Sequence, residues 1–110
     1  MNHQHSTFIE KVDTVIAENF YDVEFSIEDL ARGVTYSYQH TYRKIKEETG
    51  MTPSVYIRRK RLERACFLLA ETELNISEIA YRVGFNTLAY FSKCFMLEYG
   101  FPPTVYRSLL

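Results

Sequence analysis

The side chains best fitted to do chemistry in this sequence are hydrogen-bonding groups at helical spacing. On a helix starting after Ser37, the outward positions are Tyr38, Gln39, Tyr42, Arg43 and Lys46. A guanidinium can donate a bidentate pair to guanine, and a carboxamide can pair with adenine. Arg43 and Gln39 carry those groups. Tyr42 can pack on a thymine methyl or bond a phosphate, and Lys46 suits a phosphate backbone. A later helix, read as capped by Asn86, turns outward Thr87, Leu88, Ala89, Ser92 and Lys93. Leu88 and Ala89 cannot donate, which leaves apolar contact with thymine methyls. Lys93 can reach a base or a phosphate, and Ser92 a phosphate. Backbone amides at helix starts attract phosphates through the helix dipole, here behind Ser37, behind Asn86, and behind either Asn75 or Ser77.

Other chemistries find little support. There is no nucleophile and base at usable spacing, no Gly-rich phosphate loop and no cluster of metal ligands, so neither an enzyme nor a cofactor or metal is expected. His3 and His5 lie in a polar leader, and His40 reads as a packed or phosphate-touching imidazole. Cys66 and Cys94 sit far apart inside helical patterns and read as small buried apolar groups with reduced thiols, consistent with a cytoplasmic setting. No apolar run approaches the roughly 18 residues of a membrane span. The N-terminus lacks a basic region followed by an apolar stretch, so it is not a signal peptide.

Elements must hold these groups in place, and the composition says which kind. In 110 residues, 46% are hydrophobic and 25% charged, with nine Tyr and eight Phe to fill a core and only seven Gly and Pro together. Strict alternation is absent, so the expected fold is all-α. Phe8, Val12, Val15 and Ile16, with Phe20 beyond, predict a helix from about Thr7 to Asn19. Ser26 with Asp29 forms a capping-box pattern ahead of Ile27, Leu30, Ala31 and Val34. The helix after Ser37 buries Thr41 and Ile45 and stops at Gly50. Pro53 opens the next helix, with Val55, Tyr56, Leu62, Ala65, Cys66 and Leu69 inward and an end near Glu71. A short helix follows with Ile76, Ile79, Ala80 and Val83. The last long helix is expected to point Phe91, Phe95 and Leu97 inward and to end at Gly100. Pro102 and Pro103 start a final turn around Val105 and Tyr106. Tyr81, Phe85, Tyr90, Phe91 and Phe95 are expected to cluster, mostly as core.

Laid on itself, the chain repeats. "SIEDLARGV" at 26 matches "NISEIAYRV" at 75, an offset of 49, with Ile27, Asp29, Leu30, Ala31 and Val34 meeting Ile76, Glu78, Ile79, Ala80 and Val83. After one inserted residue the offset is 50, and Gly50, Pro53, Val55 and Tyr56 meet Gly100, Pro103, Val105 and Tyr106. A short helix, a tight turn and a second capped helix make the helix-turn-helix layout. The helix between the copies, about 18 residues from Pro53, spans roughly 27 Å, the scale of the roughly 34 Å between major-groove segments on one face of duplex DNA. A bundle whose repeat is only an old duplication is the plainer alternative.

Charge follows the same division. Residues 1 to 25 carry a net charge of −4 and residues 26 to 110 a net +3, so the overall −1 hides a basic remainder. "RRKRLER" at 58 holds Arg58, Arg59, Lys60, Arg61 and Arg64. They encircle one helix, so not all can face the same partner, and some snorkel over the core. Arg58 and Arg59 are candidate phosphate contacts.

These residues resemble the AraC/XylS family of bacterial transcription regulators across about residues 8 to 107. The resemblance is carried by "ISEIAYRVGFNTLAYFSKCF", "YGFPPTVYR" and, in the first copy, "LARGVTYSYQHTYRKIKEETGMTPSVYIRRKRLERACFLL". It implies about seven helices, with two helix-turn-helix subdomains joined by a long helix. It further implies that each second helix enters the major groove of promoter DNA, and that the protein is an activator contacting RNA polymerase. By resemblance, Gln39, Tyr42 and Arg43 stand where base edges are reached. Leu88 and Ala89 depart from longer hydrogen-bonding side chains, and Met96 and Leu97 from a basic pair. The first copy is therefore expected to read most of the sequence and the second mainly to position. Thr41 departs from a large aliphatic residue; Phe20, Phe25 or Tyr36 would fill its space.

The expected organisation is a flexible leader at 1–6, a first subdomain at 7–52, a linker helix at 53–71 and a second subdomain at 72–110. The expected partner is double-stranded DNA, with no membrane contact, and the fragment is expected to be monomeric. It reads as the C-terminal part of a larger regulator, such as a hybrid two-component sensor, more readily than as a complete one. A helical protein-interaction module without DNA binding is the rival reading, favoured by the near-neutral charge.

Overall fold

Seven helices and no strand form among residues 7–110, which the computed structural model describes. They are α1 (Thr7–Asn19), α2 (Ile27–Val34), α3 (Tyr38–Thr49), α4 (Pro53–Glu71), α5 (Ile76–Arg82), α6 (Leu88–Tyr99) and α7 (Pro103–Ser108). The leader at 1–6, with His3 and His5, lies outside the described residues. The chain divides into two compact units. The first takes residues up to 20 and 24–58, and the second takes 21–23 and 59–110.

In the first unit, Phe8, Ile9, Val12 and Ile16 of α1 pack with Leu30 and Val34 of α2, Ile45 of α3, and Tyr56 and Ile57 of α4. Ile9 and Ile57 join the core without having been singled out by the apolar pattern. The capping box forms as its spacing requires: the Ser26 N–H donates to Asp29 Oδ2 at 3.0 Å and the Asp29 N–H to Ser26 Oγ at 3.2 Å. Those bonds, the backbone one foremost, hold the Asp29 carboxyl below its ordinary range. Gly33 lets α2 approach α1, since a Cβ there would meet Val15 Cγ1 at 2.8 Å. The Tyr56 hydroxyl donates to Asp13 Oδ1 at 2.6 Å and ties the start of α4 to α1.

In the second unit, Leu62, Ala65 and Leu69 of α4 meet Ile79, Ala80, Val83 and Phe85, together with Phe91, Cys94 and Phe95 of α6. Phe85, Phe91 and Phe95 form the buried aromatic chain, with Phe91 centred 5.2 Å from Phe85 and 5.8 Å from Phe95. Tyr90 joins that cluster from its exposed side, its ring 5.8 Å from Phe85, whereas Tyr81, expected there too, is exposed. Phe95 also meets Tyr99 and Tyr106. Burial, reinforced by the Cys66 thiol, raises the Tyr99 phenol above its ordinary range. The end of α4 leaves carbonyls that its own helix cannot satisfy. The Arg107 guanidinium supplies them, with Nε donating to Leu69 O at 3.1 Å, Nη2 to Thr72 O at 3.1 Å and Nη1 to Leu74 O at 2.7 Å. A cation at a helix C-terminus also opposes the macrodipole.

Two expectations are corrected, and the choice between Asn75 and Ser77 falls to Asn75. Thr87, not Asn86, caps α6, its Oγ1 accepting from the Tyr90 N–H at 3.1 Å. The turns explain why. The Tyr36 N–H donates to Ala31 O, and the Phe85 N–H donates to Ala80 O, the same bond 49 residues apart. Ser37 then caps at once in the first copy, whereas Asn86 intervenes in the second. Asn86 is the inserted residue. Leu97 points outward at 76% exposure, because Cys94 takes the third inward position beside Phe91 and Phe95. Ser77 lies inside α5, whose cap is Asn75, accepting from the Glu78 N–H at 2.8 Å.

Candidate nucleic-acid interface

The helix α3 is positioned by its ends and its underside. Ser37 Oγ accepts from the His40 N–H at 3.1 Å, fixing the first turn. Gly50 closes the helix in the left-handed region, at φ 76°. Thr41 and Ile45 are fully buried beneath it. With that side fixed, helical periodicity turns Tyr38, Gln39, Tyr42, Arg43 and Lys46 to the surface, and all five are exposed.

Those outward groups are organised rather than loose. Tyr38 and Tyr42 stack at 6.3 Å between ring centroids. Arg43 Nη1 donates to Glu47 Oε2 at 3.3 Å, one turn along the same face. His40 packs its ring 4.6 Å from that of Tyr36, which in turn stacks on Phe8. Of the side chains considered for the space around Thr41, Phe25 is in the core, Phe20 packs against it partly buried, and Tyr36 lies outward. The Thr41 hydroxyl has no hydrogen-bond partner among the described residues.

The helix α6 has the same frame and a different face. Thr87 caps it, Gly100 closes it at φ 88°, and Phe91, Cys94 and Phe95 anchor it. Thr87, Leu88, Ala89 and Lys93 are exposed, Ser92 is half-buried, and Asn86 is exposed in the turn. Aligned by caps, Arg43 corresponds to Lys93 and Glu47 to Leu97. The second helix therefore carries a cation without the carboxylate one turn on. Its outer flank is apolar, with Leu88, Met96 and Leu97 all exposed.

The basic run on α4 is largely engaged within the second unit. Arg59 pairs with Glu98 at 2.8 Å and Lys60 with Glu63 at 3.8 Å. Arg61 donates to the Asp22 carbonyl at 2.8 Å. Burial holds its guanidinium below the ordinary range, with the Asp22 charge opposing that shift. Arg64 lies over the Phe67 ring at 4.5 Å. Arg58, in the first unit, is half-buried. Sequence reasoning passed over two residues: Glu47, which its i,i+4 spacing from Arg43 would have revealed, and Arg107, whose partners no local pattern marks.

The described residues thus contain two helix-turn-helix units, each presenting the outer face of its second helix. Residues 30–108 match a family described as a helix-turn-helix domain. The chain belongs to the AraC-type helix-turn-helix family. The part it supplies is the DNA-binding domain of that family. It is 41% identical over 90 residues to the HTH-type transcriptional activator RhaS of Mannheimia succiniciproducens, covering 82% of this chain and 34% of that protein. It is 33% identical over 100 residues to Histidine kinase P4 of Formosa agariphila, covering 91% of this chain and 7% of that protein. The chain therefore spans about a third or less of these curated relatives. Among solved structures it is similar to the C-terminal domain of AraT, a response regulator from Geobacillus stearothermophilus. There the TM-score is 0.86 at 33% identity, over 96% of this chain and 87% of that one. It is also similar to the DNA-binding domain of AdpA in complex with a target DNA. That match has a TM-score of 0.83 at 25% identity, over 96% and 93% of the two chains. In this AraC-type domain no helix among the described residues is long and apolar enough to cross a membrane.

Proposed function

We propose that the domain binds promoter DNA with α3 and α6 in successive major-groove segments, and that α3 does most of the sequence reading. The observation that carries this is the outer face of α3: Gln39, Tyr42, Arg43 and Lys46 exposed together above buried Thr41 and Ile45. Arg43 donates to guanine, Gln39 pairs with adenine, and Tyr42 packs on a thymine methyl or bonds a phosphate. Ser37 and Lys46 hold the backbone at the two ends of α3. On α6, Lys93 and Ser92 contact phosphates, Leu88 and Ala89 touch thymine methyls, and the amides behind Thr87 face a phosphate. Arg58 and Asn75 add backbone contacts, and Arg59 joins them on leaving Glu98.

Two reading helices in one chain supply what a two-fold dimer supplies elsewhere, so this domain acts as a monomer. By likeness to the transcriptional activator RhaS its role is activation; the family resemblance adds contact with RNA polymerase and a place in the bacterial cytoplasm. Duplex affinity measured against salt tests the reading. With about six phosphates engaged, affinity falls steeply as salt rises. A flat response would return the chain to the interaction-module reading. Selection from a random duplex pool tests the division of labour. Arg43→Ala with Gln39→Ala should erase site preference, while Lys93→Ala should weaken all duplexes alike. The reverse pattern would overturn it.

A further inference from the structure

The outer face of α3 also carries a carboxylate that neither base reading nor phosphate contact uses. Glu47 is exposed, and its Oε2 accepts from Arg43 Nη1 at 3.3 Å. A carboxylate on a helix facing DNA is electrostatically unfavourable, since it adds repulsion from phosphates. In the second copy the corresponding place holds Leu97, and no ion pair forms on Lys93 among the described residues.

We infer that Glu47 is a specificity-determining positioning residue, which orients the Arg43 guanidinium for its base and sharpens discrimination at the expense of overall affinity. The inference rests on the proposed reading by α3. An arginine side chain has several rotatable bonds, and a partner one turn along the helix restricts them before the base is met. That lowers the ordering needed for a bidentate pair, whose value depends on both N–H groups lying in one plane with the guanine edge. A guanidinium has five donors, so one bond to Glu47 leaves the others free for the base. The pairing also penalises wrong sites. At a base that offers no paired acceptors, Arg43 stays with Glu47, and the carboxylate's repulsion of the backbone is uncompensated. Lys93, a rotating point charge beside an apolar residue, has neither feature and suits phosphate contact at any sequence.

The test uses the whole chain and duplexes from the selected pool, with Arg43→Ala identifying the base pair that Arg43 reads. Discrimination is then the ratio of affinities for the preferred and substituted base at that pair. Glu47→Ala, which keeps a strong helix former and is checked by thermal melting, should reduce this ratio about twofold, the scale of an exposed i,i+4 pair. Affinity for unrelated duplexes should rise. Glu47→Gln, which keeps an acceptor without the charge, should restore part of the ratio. A ratio unchanged or increased in Glu47→Ala, with affinity raised equally on every duplex, would overturn the inference: Glu47 would then be a repulsive surface charge alone. Failure of the unaltered chain to bind any duplex at low salt would instead sink the parent reading, and this inference with it. As a gain-of-function arm, Lys93→Arg with Leu97→Glu, which supplies both the planar fork and its partner, should raise the ratio at the base pair nearest position 93 above that of Lys93→Arg alone, and no rise there would count against the mechanism.

Discussion

Thr41 and Phe91 occupy the same place in the two copies, four residues into the second helix from its cap, and both are fully buried. Around Phe91 the second unit builds a chain of rings through Phe85, Phe95, Tyr99 and Tyr106. Around Thr41 the first unit relies on α1, which packs against α2 where Gly33 leaves room. At the position matching Gly33, the second copy has Arg82, paired across one turn with Glu78 at 3.1 Å. One backbone plan is therefore stabilised in two ways, by the close approach of α1 to α2 in one copy and by aromatic volume in the other. The outer faces differ in the opposite sense: polar and internally paired on α3, largely apolar on α6.

The comparison can be broken at four places. Phe91→Ala should be the most damaging, costing about 3–5 kcal/mol of stability through lost burial and a residual cavity. If denaturant unfolding shows the second unit hardly affected, the aromatic chain is not what holds it. Gly33→Ala should cost about 1–3 kcal/mol, since Val15 must shift to admit the methyl. Arg82→Ala, at the matching site, should stay within about 0.5 kcal/mol, as an exposed pair contributes little. Equal effects in thermal melts would dissolve the contrast between the copies. Thr41→Val should stabilise by about 1 kcal/mol, because it removes a buried hydroxyl that lacks a partner while keeping the shape. A loss instead would show that the hydroxyl has a role in the folded state. The smallest effect lies in the turn. Thr35 and Gly84 match, and both have positive φ, 63° and 94°. Thr35→Gly should relieve the left-handed strain of a β-branched residue, offset in part by glycine's backbone entropy, for a net gain of about 0.5 kcal/mol. A fall in melting temperature would mean that the bond from Thr35 Oγ1 to Val34 O outweighs the strain.

Much of this was legible in the sequence because it depends on neighbours along the chain. The Ser26 and Asp29 box, the Ser37 cap, the Gly50 and Gly100 closures and the Pro53 start all follow from residues within one turn of each other. The outward set on α3 follows from Thr41 and Ile45 by periodicity alone. The errors arise where a local rule has two solutions. Asn86 and Thr87 are both good caps, and only the turn hydrogen bond shared with the first copy decides between them. The apolarity of Leu97 suggests an inward place, yet it lies about 200° round the helix from Phe95. Tyr81 shows the same limit, since aromatic character does not fix which way a helix faces. Arg107 was out of reach because its acceptors stand 33 to 38 residues earlier.

That separation gives Arg107 a temporal consequence. During synthesis the first unit has all its residues once position 58 has emerged. The far end of α4, at Glu71, emerges later, and its carbonyls then wait for a clasp that follows 33 to 38 residues behind its acceptors. The two units thus mature in sequence, the second becoming complete only when α7 brings Arg107 to the end of α4.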